Sequence, residues 1–162
     1  MRYLGIDPGN ILTAYTIIDE NLKPVEFAKL DNEEFLKILY DIKKDMDYVS
    51  IEMIGHYGTG MAAGKTVFDT CIFIGRILEV TKDCKNVKLI MRAEEKITLC
   101  GTMRAKDGNI IQALVDRFAP YTSNHGKGTK KDMGWFYGMT ADCWQSTAVI
   151  VTAYYKYIKD TL

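Results

Sequence analysis

Tyr3, Leu4 and Ile6 form an apolar run that ends on a single carboxylate, Asp7, before the turn signal Pro8-Gly9-Asn10. Strand formers followed by Pro-Gly-Asn predict a β-strand closed by a tight turn onto the next apolar stretch, residues 11–18. Residues 25–30 read as a third strand, bounded by Pro24 and reached through Asp19-Glu20-Asn21. Together they predict an antiparallel meander. Asp31 and Glu34 then spell a capping box, and Phe35, Ile38, Leu39 and Ile42 recur at helical spacing, predicting a helix over about 32–45. Residues 48–54 are a short, largely apolar run, expected to lie parallel to the first strand because a helical crossover precedes it.

After a glycine-rich loop at 55–64, Val67, Cys71, Ile74, Ile77 and Leu78 predict a helix over 65–81, with Gly75 permitting close packing. Residues 87–91 predict a buried strand, 92–100 a short helix broken by Gly101 and Thr102, and 107–118 an amphipathic helix stopped by Pro120. Residues 119–139 lack periodicity, and a loop of that length is usually functional or disordered. A last helix is expected from about Thr140 to beyond Tyr157. The pattern therefore predicts an α/β fold: a mixed five-stranded sheet, three strands antiparallel and two parallel, with helices on both faces.

The 162 residues, 48% hydrophobic and 26% charged, fit one soluble globular domain with a sizeable core. The longest apolar stretch, near 148–155, is interrupted by Thr152 and is shorter than the ~20 residues of a membrane span. With no targeting signature at the start, the expectation is a cytoplasmic protein without a membrane partner. Cys71, Cys84, Cys100 and Cys143 form no Cys-x-x-Cys pair, so buried free thiols are expected rather than zinc or disulfides. His56 and His125 are too far apart for a helical metal pair.

Formal net charge is zero, yet it is unevenly distributed. Residues 1–84 hold 9 Lys and Arg against 14 Asp and Glu, residues 85–131 hold 10 against 4, and residues 132–162 hold 2 against 3. A basic segment between acidic ones suits a phosphate-binding surface beside a metal site, or a solvated charged face.

Asp7 and Glu52 are acids embedded in apolar runs, where a carboxylate must be paired, hydrogen-bonded or metal-bound. Asp142 sits at the start of the last helix. Asp7 could merely cap its turn, and Asp142 could merely answer the helix dipole. If the first and fourth strands are parallel neighbours, however, Asp7 and Glu52 meet, and the last helix can bring Asp142 to them. Clustered carboxylates suit a hard ion such as Mg²⁺. Residues 58–66 nearly spell a nucleotide-binding phosphate loop, but Thr59 occupies the required first glycine and no later apolar strand ends in Asp.

At these positions the chain resembles the RuvC-type Holliday-junction resolvases, in particular their phage branch, within the RNase H-like superfamily. The resemblance rests on Gly5-Ile6-Asp7-Pro8-Gly9, Ile51-Glu52, Lys65 to Cys71 leading to Ile74-Gly75-Arg76, Gly128-Thr129-Lys130-Lys131 with Gly134, and Ala141-Asp142-x-Trp144. It implies one RNase H-like nuclease domain over 1–162, with Asp7, Glu52 and Asp142 as metal ligands. Met139 stands where the family usually has a fourth acid or histidine, and Asp132 is a lower-ranked substitute.

The implied activity is Mg²⁺-dependent hydrolysis by two ions, with Mn²⁺ able to substitute, leaving 5′-phosphate and 3′-hydroxyl ends at paired nicks in four-way DNA junctions. Lys96 and Lys106 resemble basic residues near the scissile phosphate, and Lys106 is taken as catalytic. Arg76, Arg92, Lys96, Arg104, Lys127, Lys130 and Lys131 are the expected DNA contacts, with Tyr57 or His56 stacking at the opened junction. A homodimer using residues 67–78 is implied as well. The rivals are a branched-DNA-binding protein or a flap or fork nuclease on the same fold.

Overall fold

A computed structural model of the protein describes residues 1–55 and 64–161, so the expected stacking residues His56 and Tyr57 lie outside the described residues. Five strands, β1 (Tyr3–Pro8), β2 (Leu12–Ile18), β3 (Pro24–Asp31), β4 (Tyr48–Met53) and β5 (Val87–Met91), form one sheet in the order β3-β2-β1-β4-β5. β1 pairs antiparallel with β2 and parallel with β4; β2 and β3 are antiparallel, and β4 and β5 parallel. The expected mixed, RNase H-like sheet is therefore observed, with β1 at its centre.

Its two faces are covered by different helices because alternate side chains of β1 point opposite ways. Leu4 and Ile6, with Val49 and Ile51 of β4, pack under α1 (Asn32–Ile42) and α2 (Lys65–Thr81) through Phe35, Leu39, Ile74 and Ile77. Tyr3 and Ile90 pack on the other face with α3 (Arg92–Cys100), α4 (Asp107–Phe118) and α5 (Cys143–Ala153). Asp31 caps α1 by accepting from the Glu33 N–H at 2.9 Å, which holds the crossover start where sequence placed it.

α5 is buried nearly all round, from Cys143 and Trp144 through Ser146 to Ala153, because it lies between the sheet and α3–α4. Its approach to β1 depends on Gly5: a Cβ there would stand 2.1 Å from the Ser146 carbonyl oxygen. Two expected helices end differently. The first stops at Ile42 and tightens into a 3-10 turn over Lys43–Asp45. The last begins after Asp142 and widens into a π turn over Tyr154–Ile158, where the Tyr154 N–H is shared between the carbonyls of Ile150 and Val151.

Residues 119–139 are irregular but folded onto the core. Phe136 is buried against Trp144, with ring centroids 4.6 Å apart, and Trp135 stacks on Phe118 at 5.7 Å. A bridge between Gly128 and Met133 closes a knuckle that carries Lys130 and Lys131 at its exposed tip. The four cysteines are free, but only Cys143 is buried as expected; Cys71, Cys84 and Cys100 are half-buried because they sit at the edges of the helices and turns that cover the sheet. No helix among the described residues is long and apolar enough to cross a membrane.

Candidate active site

The parallel register pairs Ile6 with Ile51, so one step further Asp7 and Glu52 emerge side by side on the face covered by α5. Their carboxyl groups are hydrogen-bonded to each other. The hairpin turn after Asp7 is satisfied by Asn32 instead, whose Nδ2 donates to the Gly9 carbonyl at 3.0 Å and whose N–H donates to that of Ile11 at 3.0 Å. Turn capping does not account for Asp7.

α5 is tied to the sheet by buried hydroxyls. Thr16 on β2 donates to the Cys143 carbonyl at 3.2 Å and lies 2.8 Å from the Ser146 hydroxyl, while Thr147 donates to Thr16 at 3.1 Å. This clamp sets the start of α5 over β1 and β2, and Asp142 precedes its first residue. The Asp142 side chain makes no capping bond; Oδ2 is 2.9 Å from Lys29 Nζ. Asp7, Ala14 and Lys29 form one cross-strand row, which explains why Lys29 reaches that point.

Asp7 and Pro8 are the wall shared by two hollows. One, of about 380 Å³, is lined by Glu52, Thr70, Arg92, Asp107 and Gln145 among others; its neighbour, also about 380 Å³, is lined by Lys29 and Asp142. Burial raises the Asp7 carboxyl, and Asp142 adds to the rise, while the Glu52 hydrogen bond and Arg92 oppose it. Glu52 is pushed up to about 9 by burial, by Glu95 and by Asp7. Glu95 on α3, its side chain fully buried, is pushed up to about 8, chiefly by burial and against the pull of Arg92.

Three carboxyls thus crowd one low-dielectric corner beside a single guanidinium, an arrangement typical of functional sites. Gln145 adds a buried Oε1 with no hydrogen-bond partner in the wall of the same hollow. Clustered oxygen donors that repel one another once ionised fit a hard divalent cation. Among the described residues, no three His, Cys, Asp or Glu side chains already surround one point, with Asp142 turned to Lys29.

The remaining expected residues are dispersed. Met139 is buried, with the Thr147 hydroxyl against its sulfur at 3.9 Å, so this position faces the core. Asp132 lies on the exposed knuckle, where its N–H and carbonyl pair with Thr129. Lys106 is exposed immediately before α4, Lys96 is half-buried on α3, and neither lines the two hollows beside Asp7. Arg104 is exposed between α3 and α4, and Arg76 is engaged by Glu33 through two bonds of 2.5 and 2.8 Å. Arg92, expected as a DNA contact on the duplex arms, lines the hollow with Asp7 and Glu52.

Glu95, Asp107, Gln145 and Lys29 escaped the sequence reading. The only local signal was the i, i+3 spacing of Arg92 and Glu95, indistinguishable from a surface helix pair until burial is known.

No protein-family model and no curated protein sequence matches this chain. Solved structures do. The RuvC of T. thermophilus in complex with a Holliday junction substrate superposes with a TM-score of 0.69 at 13% identity, covering 99% of this chain and 97% of that one. Another structure of Thermus thermophilus RuvC gives 0.66 at 13% identity, covering 99% and 98%. At that identity the likeness is one of fold: this chain has the fold of RuvC from end to end.

Proposed function

We propose that the protein is a metal-dependent endodeoxyribonuclease that resolves four-way DNA junctions by paired nicks. The observation that carries this reading is the meeting of Asp7 and Glu52 on adjacent parallel strands, with Asp142 across Asp7, on a fold that in T. thermophilus RuvC binds a Holliday junction. Asp7, Glu52 and Asp142 would hold Mg²⁺, or Mn²⁺ in its place, with two ions per site. When bound, the metal supplies Lewis-acid stabilisation of the phosphate and of the leaving 3′ oxygen, and favours in-line attack by water.

The chain's own residues do the rest. Burial holds a proton on Glu52 and raises the Asp7 carboxyl as well, and protons must leave these acids before a cation is held, so affinity rises with pH. Lys127, Lys130 and Lys131 on the knuckle grip duplex phosphates without reading sequence. α2 leaves Phe68 and Ile72 exposed, which supports a second copy docking there and a dimer that matches a two-fold junction.

The test is Mg²⁺-dependent cleavage of four-way, three-way, flap and linear DNA by the wild type and by Asp7→Asn. Preferential nicking of four-way junctions, abolished in the variant, is expected. Equal cutting by both proteins removes Asp7 from the site, and junction binding without any cutting in Mg²⁺ or Mn²⁺ makes the protein a branched-DNA-binding module.

A further inference from the structure

Arg92 is the first residue of α3, directly after β5, and its side chain is only 14% exposed. Two anions hold it. Nη1 lies 2.5 Å from Glu95 Oε2 on the inner side, and Nη2 lies 2.5 Å from Asp107 Oδ1 on the outer side. Those pairs use two of the five N–H groups of a guanidinium. Among the described residues, the other three have no hydrogen-bond partner, and the side chain lines the hollow that contains Asp7 and Glu52.

The two carboxylates differ in kind. Glu95 is fully buried and its Oε1 has no hydrogen-bond partner, so its placement is costly, and the hydrogen bond it makes among the described residues is to Arg92. Asp107 has a side chain 72% exposed at the rim. A rim carboxylate on a fixed guanidinium occupies the place that an incoming anion would take, because carboxylate and phosphate match the same planar fork. Among the described residues, the charged or ionisable groups lining that hollow are the acids Asp7, Glu52 and Asp107 and one cation, Arg92, so Arg92 is the group there that can attract a phosphate.

Resting on the nuclease reading, we propose that Arg92 grips a DNA phosphate inside the acidic hollow, that Glu95 is the buried positioning residue that aims it, and that Asp107 stands in for the phosphate until DNA arrives. Arg92 is thereby separated from the exposed lysines, which hold the duplex arms outside.

The experiment is single-turnover junction cleavage in Mg²⁺ with saturating enzyme, beside equilibrium binding of the same junction in Ca²⁺. Arg92→Lys keeps the cation for Glu95 and loses the fork; its cleavage rate constant is expected to fall about 10²-fold, as when one preorganised donor is removed, while junction affinity falls by no more than about five-fold, the scale of one exposed ion pair. Guanidinium ion added to Arg92→Ala should restore part of the rate, which it would not do for a merely structural residue. Asp107→Asn should bind the junction about two- to five-fold more tightly, the scale of an exposed ion pair, and Glu95→Gln should lower the rate constant with little change in binding. Thermal melts of each variant establish that it is folded. A wild type that cuts junctions while folded Arg92→Lys cuts as fast overturns this proposal alone; a wild type that cuts no DNA overturns the nuclease reading and this proposal with it.

Discussion

Replacing Glu52 by Gln should make the metal-free protein more stable, increasingly so as pH rises. The ordinary carboxyl value of 4.5 is pushed up to about 9 in the folded chain, so the native state keeps a proton that the unfolded chain releases. A group raised in this way contributes its full stability below pH 4.5 and loses it progressively as pH climbs toward 9. Each pH unit in that window costs about 1.4 kcal/mol. At pH 7 the loss is roughly 3 kcal/mol, a figure that requires only a folded value above 7.

The Glu52→Gln side chain has no proton to retain, and its amide can donate to Asp7 where the protonated carboxyl did. The variant should therefore exceed the wild type by roughly 3 kcal/mol at pH 7, or about 6–12 °C in Tm for a chain of this size, and match it near pH 4.5. Urea unfolding followed by Trp135 and Trp144 fluorescence in EDTA, from pH 5 to 8, measures the difference directly. A variant no more stable than the wild type at pH 7 to 8, or a gap that stays flat with pH, would refute the placement of Glu52 in a crowded acidic corner. The stabilised variant should also lose junction cleavage, since strain relieved at a site is commonly function lost.

Gly5→Ala should destabilise the protein by at least the ~1–3 kcal/mol of ordinary overpacking, because the new methyl would meet the Ser146 backbone at 2.1 Å; a urea midpoint near wild type would contradict the close packing of α5 on β1. Mg²⁺ at about a hundred times its Kd should stabilise the wild type by about 2.7 kcal/mol in thermal melts at pH 8, and Asp7→Asn should lose that rise. Replacing both Lys130 and Lys131 by Ala should weaken junction binding and lower the slope of log affinity against log salt by about one per lysine; an unchanged slope would remove the knuckle from the DNA surface.

Most of the architecture is written locally. The alternation and apolar runs of β1 to β5, the Asp31 cap and the helical spacing of Phe35, Leu39, Ile74 and Ile77 each act over a few residues, so sequence pattern alone led to the mixed sheet and nearly every element boundary. Asp7 and Glu52 were legible for the same reason, since an acid inside an apolar strand is a local anomaly. What happens at Arg92, Glu95 and Asp107 is different. On a helical spacing Glu95 looks like any solvated acid, and only the packing of α3 against the sheet and α5 buries it beside Glu52. The need for glycine at position 5 is set by α5, which lies 2.1 Å from where a Cβ would be, and Asp142 reads as a helix cap until the Thr16 clamp sets it opposite Lys29. Periodicity encodes which face an element buries; what that face meets, and hence the dielectric and charge around each acid, is decided by residues more than a hundred positions away, such as Thr16 and Ser146.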